Sequence, residues 1–224
     1  MTKIIGHRGA RGLAAENTIA ALAKALAVHV DEVEIDVRVT KDGVPVLVHD
    51  KSLRSAGGKM LIRAHTLQEL RDTKPDLTTL EEALQFVAKR VPVMIEVKRH
   101  VPITPVVAVL QNLLHDSWQP LDFRLGSKSQ RTLRALHTAL PAIKKVVIEP
   151  WSGVRAMWRA RAVHTNRIAM KQLFLWTGFV ASMHRRGYEL YAYTLNDPVK
   201  AARWSKRGLA GFITDHPERF TSQR

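Results

Sequence analysis

Short β-branched apolar runs alternate with amphipathic stretches along almost the whole chain, which is the sequence form of repeated βα units. Lys3 to Gly6 predicts a first strand. Asn17-Thr18 can cap a helix whose Ile19, Leu22 and Leu26 fall on one face. Glu32 to Val37 predicts the second strand, and Lys41-Asp42-Gly43 turns the chain into Val44 to Val48 as a hairpin partner ending at His49-Asp50. After Thr66 to Asp72, the capping-box pattern Thr79-Leu80-Glu81-Glu82 opens a helix expected to reach Arg90. Val91 to Lys98 is the third strand, and Thr104-Pro105 begins a helix with Val106, Val109, Leu110, Leu113 and Leu114 as its apolar face.

The second half repeats the theme. Strands are predicted over Phe123–Ser127, Lys145–Glu149, Arg167–Met170, Glu189–Leu195 and Gly211–Thr214, with helices between them over Gln130–Leu140, Val154–Val163 and Trp176–Arg186. Asp197-Pro198 starts a last helix that Gly208 ends. Eight units in a chain of 224 residues predict an α/β fold, a closed (β/α)₈ TIM barrel with a short insertion after the second strand, roughly Lys51 to Asp76. An open doubly wound sheet is the alternative, and no Gly-x-Gly-x-x-Gly turn follows the first strand to support its dinucleotide-binding version. No linker, low-complexity tract or solenoid period divides the chain, so residues 1–224 are expected to form a single barrel domain.

Composition narrows the chemistry. The chain has no cysteine, which removes thiol nucleophiles, disulfides and thiolate metal sites. No apolar run is long enough for a bilayer and no signal-peptide core follows Met1, so a cytoplasmic location is expected. The net charge of +15 is uneven. Residues 1–112 carry 16 Lys and Arg against 13 Asp and Glu, and residues 113–224 carry 19 against 7. Such a field favours anionic partners, whether phosphodiesters, a phospholipid surface or nucleic acid, although a basic surface also serves solubility alone.

Functional groups of a parallel barrel gather at the carboxyl ends of its strands. There the sequence places His7-Arg8-Gly9, Glu34-x-Asp36, His49-Asp50 and Glu96-x-Lys98. Strand alternation puts Glu34 and Asp36 on one side, and likewise Glu96 and Lys98. Carboxylates among Val33, Ile35, Ile95 and Val97 need compensation, and three facing one mouth suggest a hard divalent cation, Mg²⁺ or Ca²⁺, held by Glu34, Asp36 and Glu96. The rival reading is that Arg8, Arg38 and Lys98 neutralise them without a metal. His7 and His49, on different strand ends, suit proton delivery and removal, while Arg8 and Lys98 suit the phosphate oxygens. The other eight histidines are expected to be structural or solvated.

These residues carry a resemblance. His7-Arg8-Gly9, Glu16-Asn17-Thr18, Glu34-x-Asp36-Val37, Thr40-x-Asp42-Gly43, Val46-x-x-His49-Asp50, Glu96-x-Lys98, Thr194-x-Asn196 and Ile213-Thr214-Asp215-x-Pro217 together resemble the glycerophosphodiester phosphodiesterase family, in order and from end to end. The resemblance implies metal-dependent hydrolysis of glycerophosphodiesters to glycerol 3-phosphate and an alcohol such as choline or ethanolamine. By motif match it makes Glu34, Asp36 and Glu96 the metal ligands, His7 and His49 the acid–base pair, and Arg8 and Lys98 the phosphate contacts. Ala15, Val30 and Tyr193 stand where the family usually has Pro, Gly and Trp, changes that touch packing and the substrate wall.

Two other readings stay open. A phosphodiesterase of phospholipase D or C type could act on lysophospholipids at an anionic membrane surface, met by Trp151, Trp158, Phe174, Trp176 and Phe179. The plainer expectation is that these aromatics are core or helix-packing residues. A non-catalytic basic barrel could instead bind nucleic acid or a protein partner, but no nucleic-acid-binding motif is present and none is expected to bind. The substrate partner expected is a small glycerophosphodiester, and the sequence leaves the oligomeric state open.

Overall fold

The structure is a computed structural model that describes residues 1–55 and 58–221. The chain opens with β1 (Lys3–Gly6), α1 (Ile19–Ala27) and β2 (Glu32–Val39), and β3 (Pro45–Leu47) folds back antiparallel on β2. A two-stranded hairpin follows, β4 (Ser52–Ser55) and β5 (Gly58–Leu61), then α2 (Leu67–Thr73) and α3 (Leu80–Val87). This hairpin and α2 lie within the expected insertion, whose residues 56 and 57 lie outside the described residues. The units then alternate: β6 (Val93–Val97), α4 (Thr104–His115), β7 (Phe123–Ser127), α5 (Gln130–Ala139), β8 (Lys144–Glu149) and α6 (Gly153–Arg161). They close with β9 (Arg167–Lys171), α7 (Thr177–Arg185), β10 (Glu189–Tyr193), α8 (Pro198–Ser205), β11 (Gly211–Thr214) and a final turn of helix, α9 (Glu218–Thr221).

Among the described residues eight parallel strands close into a barrel, because β1 pairs with β11 on one side and β2 on the other. The expected TIM barrel is therefore the fold. Closure removes the free edges that an open sheet would leave.

Strand alternation divides the core into two layers. Ile4, Val33, Ile35, Val37, Val93, Ile95 and Val97 pack outward against the helices. Ile5, Met94, Val146, Ile148, Ala169, Tyr191 and Ile213 form a separate apolar cluster inside the barrel. Since Val33, Ile35 and Val37 face out, Glu32, Glu34 and Asp36 must face in. The same parity turns Met94 and Glu96 inward on β6. Glu32, at the start of β2, is buried against Lys3 at 3.1 Å, and Arg167 pairs with Glu189 at 2.9 Å, so ion pairs occupy the amino-terminal end of the barrel.

Helix caps explain most boundaries. Thr18 accepts a hydrogen bond from the Ala21 N–H, and the face that α1 buries is Ala21, Leu22 and Ala25, with Ile19 and Leu26 only partly covered. Thr79 and Glu82 form the expected capping box of α3. That helix stops at Val87, short of the predicted Arg90, because Ala88 and Lys89 take left-handed backbone conformations at φ 49° and 61°. Among the described residues no helix is long and apolar enough to cross a membrane.

Candidate active site

The site is built around the turn that follows β1. The His7 N–H donates to the Thr214 carbonyl at 2.9 Å, and the Gly9 N–H donates to the Glu34 carbonyl at 3.1 Å, so the turn is pinned to β11 and β2 together. Arg8 and Gly9 both have left-handed backbone, at φ 52° and 82°. A Cβ on Gly9 would stand 2.5 Å from the Ala21 backbone, which is why glycine is needed as the turn passes under α1. This geometry aims the Arg8 N–H at the Glu34 carboxylate, 3.0 Å away.

Glu34, Asp36 and Glu96 are buried, and one carboxylate oxygen of each lies within 4.8 Å of the others. Asp36 and Glu96 are register partners on β2 and β6, which accounts for their proximity. Arg8 Nε stands 3.0 Å from Asp36, and Lys98 Nζ bridges Asp36 and Glu96, 2.9 Å from the latter. The Asn17 side chain clamps Asp36, donating from Nδ2 to its carboxylate and accepting its N–H through Oδ1, both at 3.1 Å. Burial alone would raise the Asp36 carboxyl, but Lys98 and Arg8 hold it at about 2. Glu34 moves the other way: burial, and after it the charges of Asp36 and Glu96, push it well above the usual carboxylate range.

The donor set fits a hard divalent cation. It is all oxygen, and it includes a buried acceptor, Glu96 Oε1, that Lys98 and Lys128 approach at 2.9 and 3.2 Å without forming a well-directed hydrogen bond. Arg8 and Lys98 provide the neutralising charge of the metal-free alternative. Arg38 makes no ion pair with the trio and contributes only its field: its Nε and terminal nitrogen donate to the His49 carbonyl at 3.0 and 2.9 Å, while Asp36 and Glu96 act on it through space.

His7 presents Nδ1 to Asp215 Oδ1 at 2.6 Å. Burial would raise the Asp215 carboxyl, yet the hydrogen bond to His7, reinforced by Asn196 and Arg11, keeps it down at about 2. An ionised carboxylate only accepts, so Nδ1 carries the ring proton and Nε2 keeps its lone pair. Burial lowers the His7 pKa below 6.5, against the pull of Asp215. His49 has Nδ1 2.8 Å from Asp50 Oδ1 and lines a cavity of about 870 Å³ together with Glu96 and Lys98, whereas His7 is not among the residues that line it.

Asp215, Asn196, Asn17 and Lys128 were not singled out as site residues from sequence. Asp215 and Asn196 do lie in motifs at the ends of β11 and β10, but their relation to His7 exists only once β11 closes on β1. The aromatic expectation is corrected: Trp151, Trp158, Phe174 and Trp176 are 60%, 60%, 40% and 65% exposed, and only Phe179 is partly covered. They sit on α6 or on the connections that follow β8 and β9, where no second layer of helices covers them. Trp151 meets Phe174 edge-on with ring centroids 5.4 Å apart, and Lys171 Nζ stands 5.7 Å from the Trp151 ring.

Residues 7–219 match the Glycerophosphoryl diester phosphodiesterase family. YhdW of Bacillus subtilis (strain 168) is 30% identical, with 96% of this chain and 95% of that protein covered. A glycerophosphodiester phosphodiesterase of Caldanaerobacter subterraneus subsp. tengcongensis is 26% identical over 97% of this chain and 95% of its own. Among solved structures, an Oleispira antarctica phosphodiesterase in complex with the product sn-glycerol-3-phosphate superposes with a TM-score of 0.88 at 26% identity, covering 99% of this chain and 96% of that one.

The His7–Asp215 contact makes a spectroscopic prediction. Followed by NMR, the His7 ring titrates below 6.5 in the wild type. Asp215→Asn moves it further down, because the lost hydrogen bond and charge both favoured the imidazolium. An unchanged or raised midpoint in the variant would show that Asp215 does not govern this imidazole.

Proposed function

This chain belongs to the glycerophosphoryl diester phosphodiesterase family, and we propose that, as one barrel domain spanning residues 1–224, it hydrolyses glycerophosphodiesters to glycerol 3-phosphate and an alcohol, with His7 and His49 transferring the protons. The observation that carries this reading is the buried carboxylate trio of Glu34, Asp36 and Glu96, bracketed by Arg8 and Lys98, with Glu96 and Lys98 lining the cavity that His49 also lines.

In this reading Glu34, Asp36 and Glu96 hold a divalent cation, Mg²⁺ or Ca²⁺ by their all-oxygen character. Polarisation of the phosphoryl oxygens is the chemistry such a cation supplies when bound. Arg8 and Lys98 meet the non-bridging oxygens, Arg8 with a guanidinium whose Nη1 is held by Glu16 at 2.7 Å and whose Nε faces Asp36, and Lys98 as a compact charge. His7, neutral and oriented by Asp215, takes the proton of the attacking hydroxyl at Nε2. As the new P–O bond forms, the P–O bond to the alcohol breaks, and His49 gives the departing oxygen its proton. The attacking hydroxyl belongs either to water or to the neighbouring position of the glycerol. In the second case a cyclic phosphate forms and water then opens it, with the same two histidines exchanging roles.

His7→Ala and His49→Ala each slow release of glycerol 3-phosphate from a panel of glycerophosphodiesters by roughly 10²- to 10⁴-fold. Chelation abolishes activity, and Mg²⁺, Ca²⁺ or Mn²⁺ restores it. Wild-type rates in both variants, or full activity after exhaustive chelation, would rule the mechanism out.

The exposed aromatics favour a second reading, in which the same site also meets substrates at an anionic lipid surface. Indole and phenyl rings beside cationic side chains suit the boundary between headgroups and acyl chains. Trp151→Ala with Trp176→Ala then weakens co-sedimentation with phosphatidylserine-containing vesicles. Wild-type protein that stays in the supernatant at low salt would dismiss a membrane role.

A further inference from the structure

The cavity that His49, Glu96 and Lys98 line has more positive charge than a phosphodiester needs. Its remaining cations divide into two groups. Arg38 and Lys128 are already engaged, by the His49 carbonyl and by Glu96. The side chains of Lys51, Arg63 and Arg99 are exposed and make no ion pair or hydrogen bond with any described residue. They come from three separate places: the connection after β3, the short turn at residues 62–64 of the insertion, and the connection after β6. Their convergence is therefore a property of the fold and not of one basic run.

Three like charges facing one concave space repel each other and are relieved by a bound anion. Among the described residues Asp50 is the only acid besides Glu96 along this lining, so little of that relief comes from the lining itself. Nor does the invariant part of the substrate. The glycerol moiety is neutral, and the single phosphate charge is met by Arg8 and Lys98. The extra cations face the part of the ligand that differs between substrates, the alcohol.

Resting on the hydrolase reading, we propose that this chain selects glycerophosphodiesters whose alcohol bears a further anionic group, a phosphate monoester above all. Choline and ethanolamine, which bring a positive charge into the same space, are the disfavoured alcohols. Arg63 and Arg99 are the specificity-determining residues, since a guanidinium holds a phosphate through two parallel N–H bonds, and Lys51 adds a point charge. None of the three touches the carboxylate trio or either catalytic histidine by any hydrogen bond or ion pair among the described residues.

The test compares glycerophosphoinositol 4-phosphate with glycerophosphocholine. The wild type favours the first in kcat/KM by at least about tenfold, the effect of one charged hydrogen bond, and the preference shrinks with added salt. Lys51→Gln, Arg63→Gln and Arg99→Gln each reduce kcat/KM for the phosphorylated substrate and leave that for glycerophosphocholine unchanged or higher, while Arg63→Lys retains part of the preference. Binding of both diesters to metal-depleted protein, measured by calorimetry, gives the same order. Equal kcat/KM for the two substrates in the wild type would overturn the proposal. So would equal slowing of both by the Gln variants, which would assign these cations to general attraction. If no diester is cleaved, the hydrolase reading fails by itself, and the calorimetric comparison still decides the selectivity: tighter binding of the phosphorylated diester upholds it, equal affinity sinks it.

Discussion

Three carboxylates inside a barrel are the constraint from which the rest of the site follows. Glu34, Asp36 and Glu96 lie too close together, and too far from water, to be held by the protein without opposing charge. Arg8 and Lys98 supply part of it, and their contacts tie β2 and β6 to the turn after β1. The divergence between Asp36, held low, and Glu34, pushed high, reflects how unevenly those two cations serve the three acids. A cluster so arranged does little for folding that a few apolar side chains would not do better. Its value lies in the ligand it can gather.

The same turn joins that cluster to His7, one of the two proposed proton-transfer residues. Its backbone points the Arg8 N–H at Glu34 while the His7 ring meets Asp215, just past the strand that closes the barrel. Gly9 makes this possible by passing within contact of the Ala21 backbone, where a side chain would not fit. Barrel closure, glycine placement and imidazole orientation are therefore one structural problem with one solution. His49 reaches the cavity by a different route, at the end of a β-ribbon, and lines it together with Lys51, Arg63 and Arg99.

Much of this was legible in the sequence because strand alternation is rigid. Knowing that Val33, Ile35 and Val37 face the helices is enough to turn Glu34 and Asp36 inward, and the motif order supplied the rest. What was not legible depends on contacts between distant segments. Asp215 is 208 residues from His7 along the chain and meets it only through closure. The β4–β5 hairpin escaped notice because Ser52–Leu61 lacks a clean alternation, and only Leu53 among its strand residues is buried. Trp151, Trp158 and Trp176 were expected to pack because large aromatics usually do. Burial is decided by what covers a residue, and on α6 and after β8 and β9 the described residues leave these three rings 60% or more exposed.

The central claim is that the carboxylate trio is a cation site and not merely a self-neutralised polar core. The direct measurement is Mn²⁺ binding followed by electron paramagnetic resonance, in the wild type and in Glu34→Gln, Asp36→Asn and Glu96→Gln, each checked for a wild-type circular dichroism spectrum. The account predicts a single saturable site in the wild type, displaced by Mg²⁺ or Ca²⁺ and lost in each folded variant. A wild type that binds no ion, or variants that bind as well as it does, would contradict it.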